Sequence, residues 1–139
     1  DSDLEVDTET GEIEVLQIAS AYDVGKAINP DLIMTQIEGG AVHGLSSAFE
    51  ALKYDGAGRP LNPNLVDYRI ANATDIPGRI HGDIVETALD DGPWGARGVG
   101  EHVMVPTAPA MANALYDALG VRFADLPLSA EAVWRALKE

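Results

Sequence analysis

The chain has 139 residues and a normal apolar share of 46%, enough for one domain with a core of its own. A net charge of −14 argues against binding to nucleic acid or docking on anionic membranes, and no apolar run approaches the length of a membrane span. There is no cysteine, which removes disulfides, thiolate zinc sites and iron–sulfur ligation from this chain and fits a reducing, cytoplasmic setting.

Seven acids and no base fall within residues 1–14, where Leu4-Glu5-Val6 and Glu12-Ile13-Glu14-Val15 alternate apolar with acidic. Period-two alternation marks half-buried strands, and Asp7 to Gly11 between them carries turn chemistry. Residues 1–22 are therefore expected to form an acidic β-hairpin whose second strand runs on to Tyr22. The acids read as a solvated face.

Asn29 and Pro30 together open a helix, as N-cap and first helical residue. The pattern predicts helix over 30–52. Ile33, Ile37, Ala41, Leu45 and Ala48 with Leu52 form its apolar stripe. A second, polar stripe holds Gln36, Gly40, His43, Ser47 and Glu50. The Gly39-Gly40 pair costs roughly 1 kcal/mol per glycine against alanine, which implies that something approaches the helix closely there.

Lys53 to Pro60 reads as a turn, Leu61 to Ile70 as an extended segment broken by Pro63, and Asn72 to Gly78 as a loop. Ile80 to Leu89 is the next strand. After it comes a glycine loop over residues 92–101, Gly92-Pro93-Trp94-Gly95-Ala96-Arg97-Gly98-Val99-Gly100-Glu101. A helix follows over 107–119, closed by Gly120. Ser129 caps a final helix over 129–138, on which Val133, Trp134 and Leu137 pack. No internal repeat and no linker interrupts the chain, so residues 1–139 read as one α+β domain, a mixed or antiparallel sheet with packed helices.

The glycine loop is the stretch with chemistry in it. Glycines at this density let a backbone lie close to another object. A phosphate-binding loop of the Walker type ends in Gly-Lys-Ser/Thr, and this one ends in Gly-Val-Gly-Glu. Gly95-x-x-Gly98-x-Gly100 also runs the dinucleotide spacing backwards, and a carboxylate repels phosphate. Glu101 is then either a surface acid favoured by the start of the next helix or a base. The apolar neighbours Val99, Val103, Met104 and Val105 suggest that it is partly desolvated, which suits a general base.

Other candidates are weaker. Asp83, Glu86, Asp90 and Asp91 lack the spacing of a calcium loop. His43, His81 and His102 form no zinc-binding pair, and His43 reads as a partly buried, satisfied histidine. No metal ligand is assigned. Trp94 and Trp134 read as packing residues.

The ordered set Asp23-Val24-Gly25, Ile28-Asn29-Pro30, Gln36-Ile37-Glu38-Gly39-Gly40, His43-Gly44-Leu45, Tyr68-Arg69-Ile70, Asp75-Ile76-Pro77 and Gly92 to Glu101 resembles a known family. It is similar to the C-terminal part of the molybdopterin-binding large subunit of the xanthine dehydrogenase/aldehyde oxidase family of molybdenum hydroxylases. The resemblance runs from about residue 4 to the end, continuing through Pro106 to Ala114 and Leu126-Pro127. It implies that Glu101 stands beside molybdenum as the general base for hydroxylation of an aldehyde, purine or other N-heterocycle by water. It implies that Gln36 contacts the molybdenum–molybdopterin cofactor and that the backbone of Gly98, Val99 and Gly100 lies against it.

Arg97 stands where such loops often carry lysine, and His43 where some relatives carry glutamine. The family's glycine-rich, Phe-containing cofactor motifs are not among these residues. The resemblance therefore implies a site completed by the remaining molybdopterin-binding portion, with iron–sulfur clusters and FAD on partner domains or chains. The isolated chain is then expected to be inactive. The competing reading is a metal-free α+β assembly module, a fragment or homo-oligomer, with the Gly39-Gly40 helix and the strip around Met104 as interfaces.

Overall fold

The computed structural model describes residues 1–138. The fold is α+β, a three-stranded mixed sheet with helices packed on it. Strand β1 (Ser2–Val6) pairs antiparallel with β2 (Ile13–Asp23), and β2 pairs parallel with β3 (Arg79–Val85), so β2 is the central strand. Helix α1 (Pro30–Phe49) makes the crossover, followed by α2 (Thr107–Leu119) and α3 (Ala130–Ala136).

Local chemistry sets these elements. The hairpin turn closes as the Asp7 carboxylate accepts the Glu9 N–H at 2.8 Å and the Asp7 carbonyl accepts the Gly11 N–H at 2.7 Å. Gly11 has φ of +78°, and a Cβ there would stand 2.1 Å from the Ala130 carbonyl, so the turn and the start of α3 touch through backbone. Asn29 caps α1 by accepting the Leu32 N–H at 3.1 Å, with Pro30 in the first turn. Ser129 caps α3 by accepting the Ala132 N–H at 3.2 Å.

The core has two parts. Ile18, Ala41, Leu45, Ala48, Met111, Leu115, Leu128 and Val133 form one cluster between the sheet, α1, α2 and α3. Tyr22, Val24, Ile33, Ile37 and Val103 form a second, beneath the glycine loop. The stripe read along α1 is the buried one as far as Ala48. Gly82 lets α1 lie close on β3, since a Cβ there would meet Ile37 Cγ2 at 2.7 Å.

Four expectations need correction. Helix α1 stops at Phe49 rather than 52, because Glu50 is extended, and Leu52 is exposed. The last helix is shorter than 129–138 at both ends, and Trp134 is half exposed while Val133 is fully buried. The strand read over Ile80 to Leu89 ends at Val85. Leu61 to Ile70 is not extended: Pro63 interrupts it, and Asn64 accepts the Val66 and Asp67 N–H groups at 3.0 and 3.2 Å, which bends the chain. Asn62 is buried there and ties the segment to the end of α1, accepting the Lys53 N–H at 2.7 Å and donating to the Ala51 carbonyl at 3.0 Å.

The glycine pair divides. Gly39 has no neighbour within 4 Å of a Cβ position, whereas at Gly40 a Cβ would stand 2.2 Å from Val103 Cγ2 and 3.2 Å from its carbonyl carbon. Gly39→Ala is therefore expected to raise stability by about 0.5–1 kcal/mol through helix propensity. Gly40→Ala is expected to lower it by about 1–3 kcal/mol through overpacking. Denaturant titration of both variants against the native protein reads the opposite signs, and equal signs refute the assignment.

Candidate functional site

The glycine loop lies along the end of β2 and the start of α1. It is stitched there by two backbone hydrogen bonds, Lys26 N–H to the Gly95 carbonyl at 2.8 Å and Arg97 N–H to the Val24 carbonyl at 2.9 Å. Gly25 and Ala96 thus pair as a one-residue antiparallel bridge. Gly25 has φ of +62°, and a Cβ there would stand 2.2 Å from the Gly95 carbonyl oxygen, so only glycine fits.

Side chains reinforce the stitch. The Asp23 carboxylate accepts the Gly25 N–H at 3.0 Å and the Thr87 N–H at 3.3 Å, and meets the Arg97 guanidinium at 3.3 Å. Glu86 accepts the Ala27 N–H at 2.7 Å and pairs with Lys26 Nζ at 3.0 Å. Hydrogen bonding from the Thr87 side chain, then the Gly25 N–H, holds the Asp23 carboxyl below its ordinary range. The Ala27 N–H, then Lys26, does the same for Glu86.

Beyond the loop, Glu101 opens a 3₁₀ turn (Glu101–Val103). Tyr22, buried at the end of β2, donates its hydroxyl proton to the Val103 carbonyl at 2.6 Å, and its ring meets His102 edge-on with centroids 5.6 Å apart. Burial pushes the Tyr22 hydroxyl above its usual range. Gly40 and Gly44 bring α1 against this turn, a Cβ at Gly44 standing 2.6 Å from the Met104 carbonyl.

A depression of about 230 Å³ opens between the start of α1 and the loop, lined among others by Asn29, Gln36, Arg97 and Val99. The structure therefore brings Gln36 and Val99, far apart in sequence, to one surface. Both Gln36 and Glu101 are exposed. Gly98 and Gly100 have nothing within 4 Å of where a Cβ would stand, which leaves the loop backbone open to a bulky group. This combination fits a large cofactor laid over the loop: an exposed amide, an open glycine backbone and a carboxylate at its end.

Several readings of the residues change. Glu101 is not desolvated by its apolar neighbours, because Val103 turns into the core while Glu101 faces solvent. His43 is exposed rather than partly buried. Trp94 does not pack: it is 87% exposed and sits at φ of +55°, a conformation that costs a non-glycine residue about 1–2 kcal/mol. The acids considered for calcium are dispersed, Asp83 facing His81 at 3.6 Å and Glu86 occupied by Lys26 and Ala27. Among the described residues no three His, Cys, Asp or Glu side chains gather to hold a metal ion. No helix among them is long and apolar enough to cross a membrane. The tethers Tyr22 and Asn62 went unassigned in the sequence, although Ile18 and Tyr22 share one strand face at period two.

Residues 2–77 match the family described as the molybdopterin cofactor-binding domain. The chain belongs to that family. It is a piece of the molybdopterin-binding subunit of the xanthine dehydrogenase type. The 6-hydroxypseudooxynicotine dehydrogenase complex subunit gamma of Paenarthrobacter nicotinovorans is 32% identical over 94% of this chain and 17% of that protein. Quinoline 2-oxidoreductase from Pseudomonas putida 86 superposes with a TM-score of 0.88 at 28% identity, over 98% of this chain and 18% of that one. Aldehyde oxidoreductase from Desulfovibrio gigas gives 0.86 at 32% identity, over 98% and 15%. The chain thus spans under a fifth of the length of these relatives. The matched residues 2–77 include Gln36, while the likeness to the solved structures extends over nearly the whole chain.

Because the carboxyl of Asp23 is held low, its contribution exists above its unfolded value near 3.8 and is lost as pH falls through the lower folded value. The melting temperature of Asp23→Asn is expected to lie below that of the native protein at pH 6, with the gap closing toward pH 3. A gap independent of pH refutes the ionised tether.

Proposed function

We propose that this chain is the base-bearing wall of a molybdenum hydroxylase that oxidises an aldehyde, a purine or another N-heterocycle with water as the oxygen source. The observation that carries the reading is the convergence of Gln36, Arg97 and Val99 on one depression, beside an open glycine backbone that ends in Glu101. Among the relatives, one is named for an aldehyde and others for the N-heterocycles quinoline and nicotinate, which supports this substrate class, while another is named for carbon monoxide.

In this reading Gln36 and the backbone of Gly98, Val99 and Gly100 hold the molybdenum–molybdopterin group. When bound, that group supplies the Lewis acidity and two-electron acceptance that hydroxylation needs. Arg97 is occupied by Asp23 and holds the loop. Glu101, exposed at the end of the loop, takes the proton from the attacking water as the new carbon–oxygen bond forms, then releases it. Its access to solvent provides the route by which that proton leaves. The remaining molybdopterin-binding portion closes the other walls. Partner subunits carry the iron–sulfur clusters and FAD that take the electrons onward, and the isolated chain is inactive.

Replacement of the base tests this. Glu101→Gln in the assembled enzyme is expected to lower turnover of hypoxanthine, quinoline or benzaldehyde, whichever the native enzyme accepts, by at least about 10²–10⁴-fold. Molybdenum content should stay near native, as measured by elemental analysis. Native turnover in that variant refutes the assignment.

A further inference from the structure

The last two residues of β2 grip the glycine loop on either side of Glu101. Asp23 holds Arg97 four residues before it, and Tyr22 holds the Val103 carbonyl two residues after it. Both tethers leave the same strand end, which is itself fixed by pairing to β3 through Tyr22↔Ile84 and Asp23↔Val85. Glu101 is exposed and no side-chain hydrogen bond to it is recorded among the described residues, so its position follows from the backbone that carries it. That backbone includes two glycines, Gly98 and Gly100, that have open space where a Cβ would stand and no side chain to restrict φ and ψ. A loop of that kind needs anchors close to both sides of the working residue.

The two anchors differ in kind. On the Arg97 side the backbone bond to the Val24 carbonyl at 2.9 Å stitches the loop four residues before Glu101, and the side-chain anchor added there is a single, part-exposed ion pair to Asp23, a kind of contact that holds geometry weakly. The Tyr22 contact is a buried hydrogen bond of 2.6 Å that joins residues 81 apart in sequence. It reaches a carbonyl in the turn that Glu101 opens. Val103 is only 2% exposed and is backed by Gly40, so no water replaces the hydroxyl without a shift of the turn.

We propose that Tyr22 is the principal positioning residue for Glu101, with Asp23 as the weaker second anchor. The inference rests on the reading of Glu101 as the base. Tyr22 does not touch substrate. Its hydroxyl fixes where the turn carrying the carboxylate stands, and an error of about 1 Å in a catalytic group can cost on the order of 10²-fold in rate.

The test uses the assembled holoenzyme and the same three probe substrates. Tyr22→Phe removes one oxygen and keeps the ring in the second core cluster. It is expected to lower kcat by about tenfold or more with KM changed by less than about threefold, at native molybdenum content. Deuterium uptake at residues 98–103 should rise, while uptake in α2 and β1 stays native. Asp23→Asn should give the same pattern at smaller amplitude. In a Glu101→Gln background Tyr22→Phe should have no further effect on the residual rate, since the group it positions is gone.

The outcomes separate the two claims. Native turnover in Glu101→Gln refutes the base, and the positioning role with it. A dead Glu101→Gln alongside a Tyr22→Phe enzyme with kcat within twofold of native refutes the positioning role alone. So does a Tyr22→Phe effect confined to KM, or uptake that rises throughout the chain, which marks a general loss of packing.

Discussion

The structure depends on a contact one residue pair wide. At Gly25 and Ala96 the exit of the central strand meets the glycine loop backbone to backbone, through N–H groups of Lys26 and Arg97. The contact is possible because Gly25 takes a positive φ and presents no Cβ to the Gly95 carbonyl. The Asp23 carboxylate reaches across it to Arg97, Glu86 ties Lys26 and Ala27 beside it, and the start of α1 lines one depression with the loop. Because β2 is paired on both edges, the position of this junction is shared with the whole sheet.

The two halves of the core serve different ends. The cluster around Met111, Leu115 and Val133 joins α1, α2 and α3 to the sheet and has no part in the loop. The smaller cluster around Tyr22, Ile37 and Val103 underlies it. Helix α1 belongs to both, and its glycines mark the change of use. Gly40 and Gly44 admit the turn after Glu101, whereas Gly39 faces away. One helix thus sets the distance between the packing half of the molecule and the half that presents chemistry.

Much of this was legible from residues. The apolar stripe of α1, the Asn29-Pro30 opening and the alternating hairpin all follow from local rules that tertiary structure did not override. The glycine loop was visible as composition, and the resemblance of its ordered motifs carried the family. What could not be read was direction. Alternation does not reveal that β3 joins β2 in parallel, nor that Val103 points inward while Glu101 two residues earlier points out. Leu61 to Ile70 misled for a related reason. Its apolar residues suggest extended chain, but the Asn64 side chain captures backbone donors and bends it into turns. Leu65 and Val66 consequently remain exposed. The tethers of Tyr22 and Asn62 join distant parts of the chain, and no spacing announces such pairs.

Trp94 gives the molecule an optical label. The chain has two tryptophans, and this one stands almost wholly in solvent at the entrance to the glycine loop, held by an unusual backbone angle rather than by packing. The other, Trp134, lies beside Lys138 on the last helix, away from the loop. Indole emission is sensitive to the polarity around the ring. The red edge of the fluorescence therefore belongs to the loop, and its movement toward the blue reports the moment another surface comes down over Gly92 to Gly95.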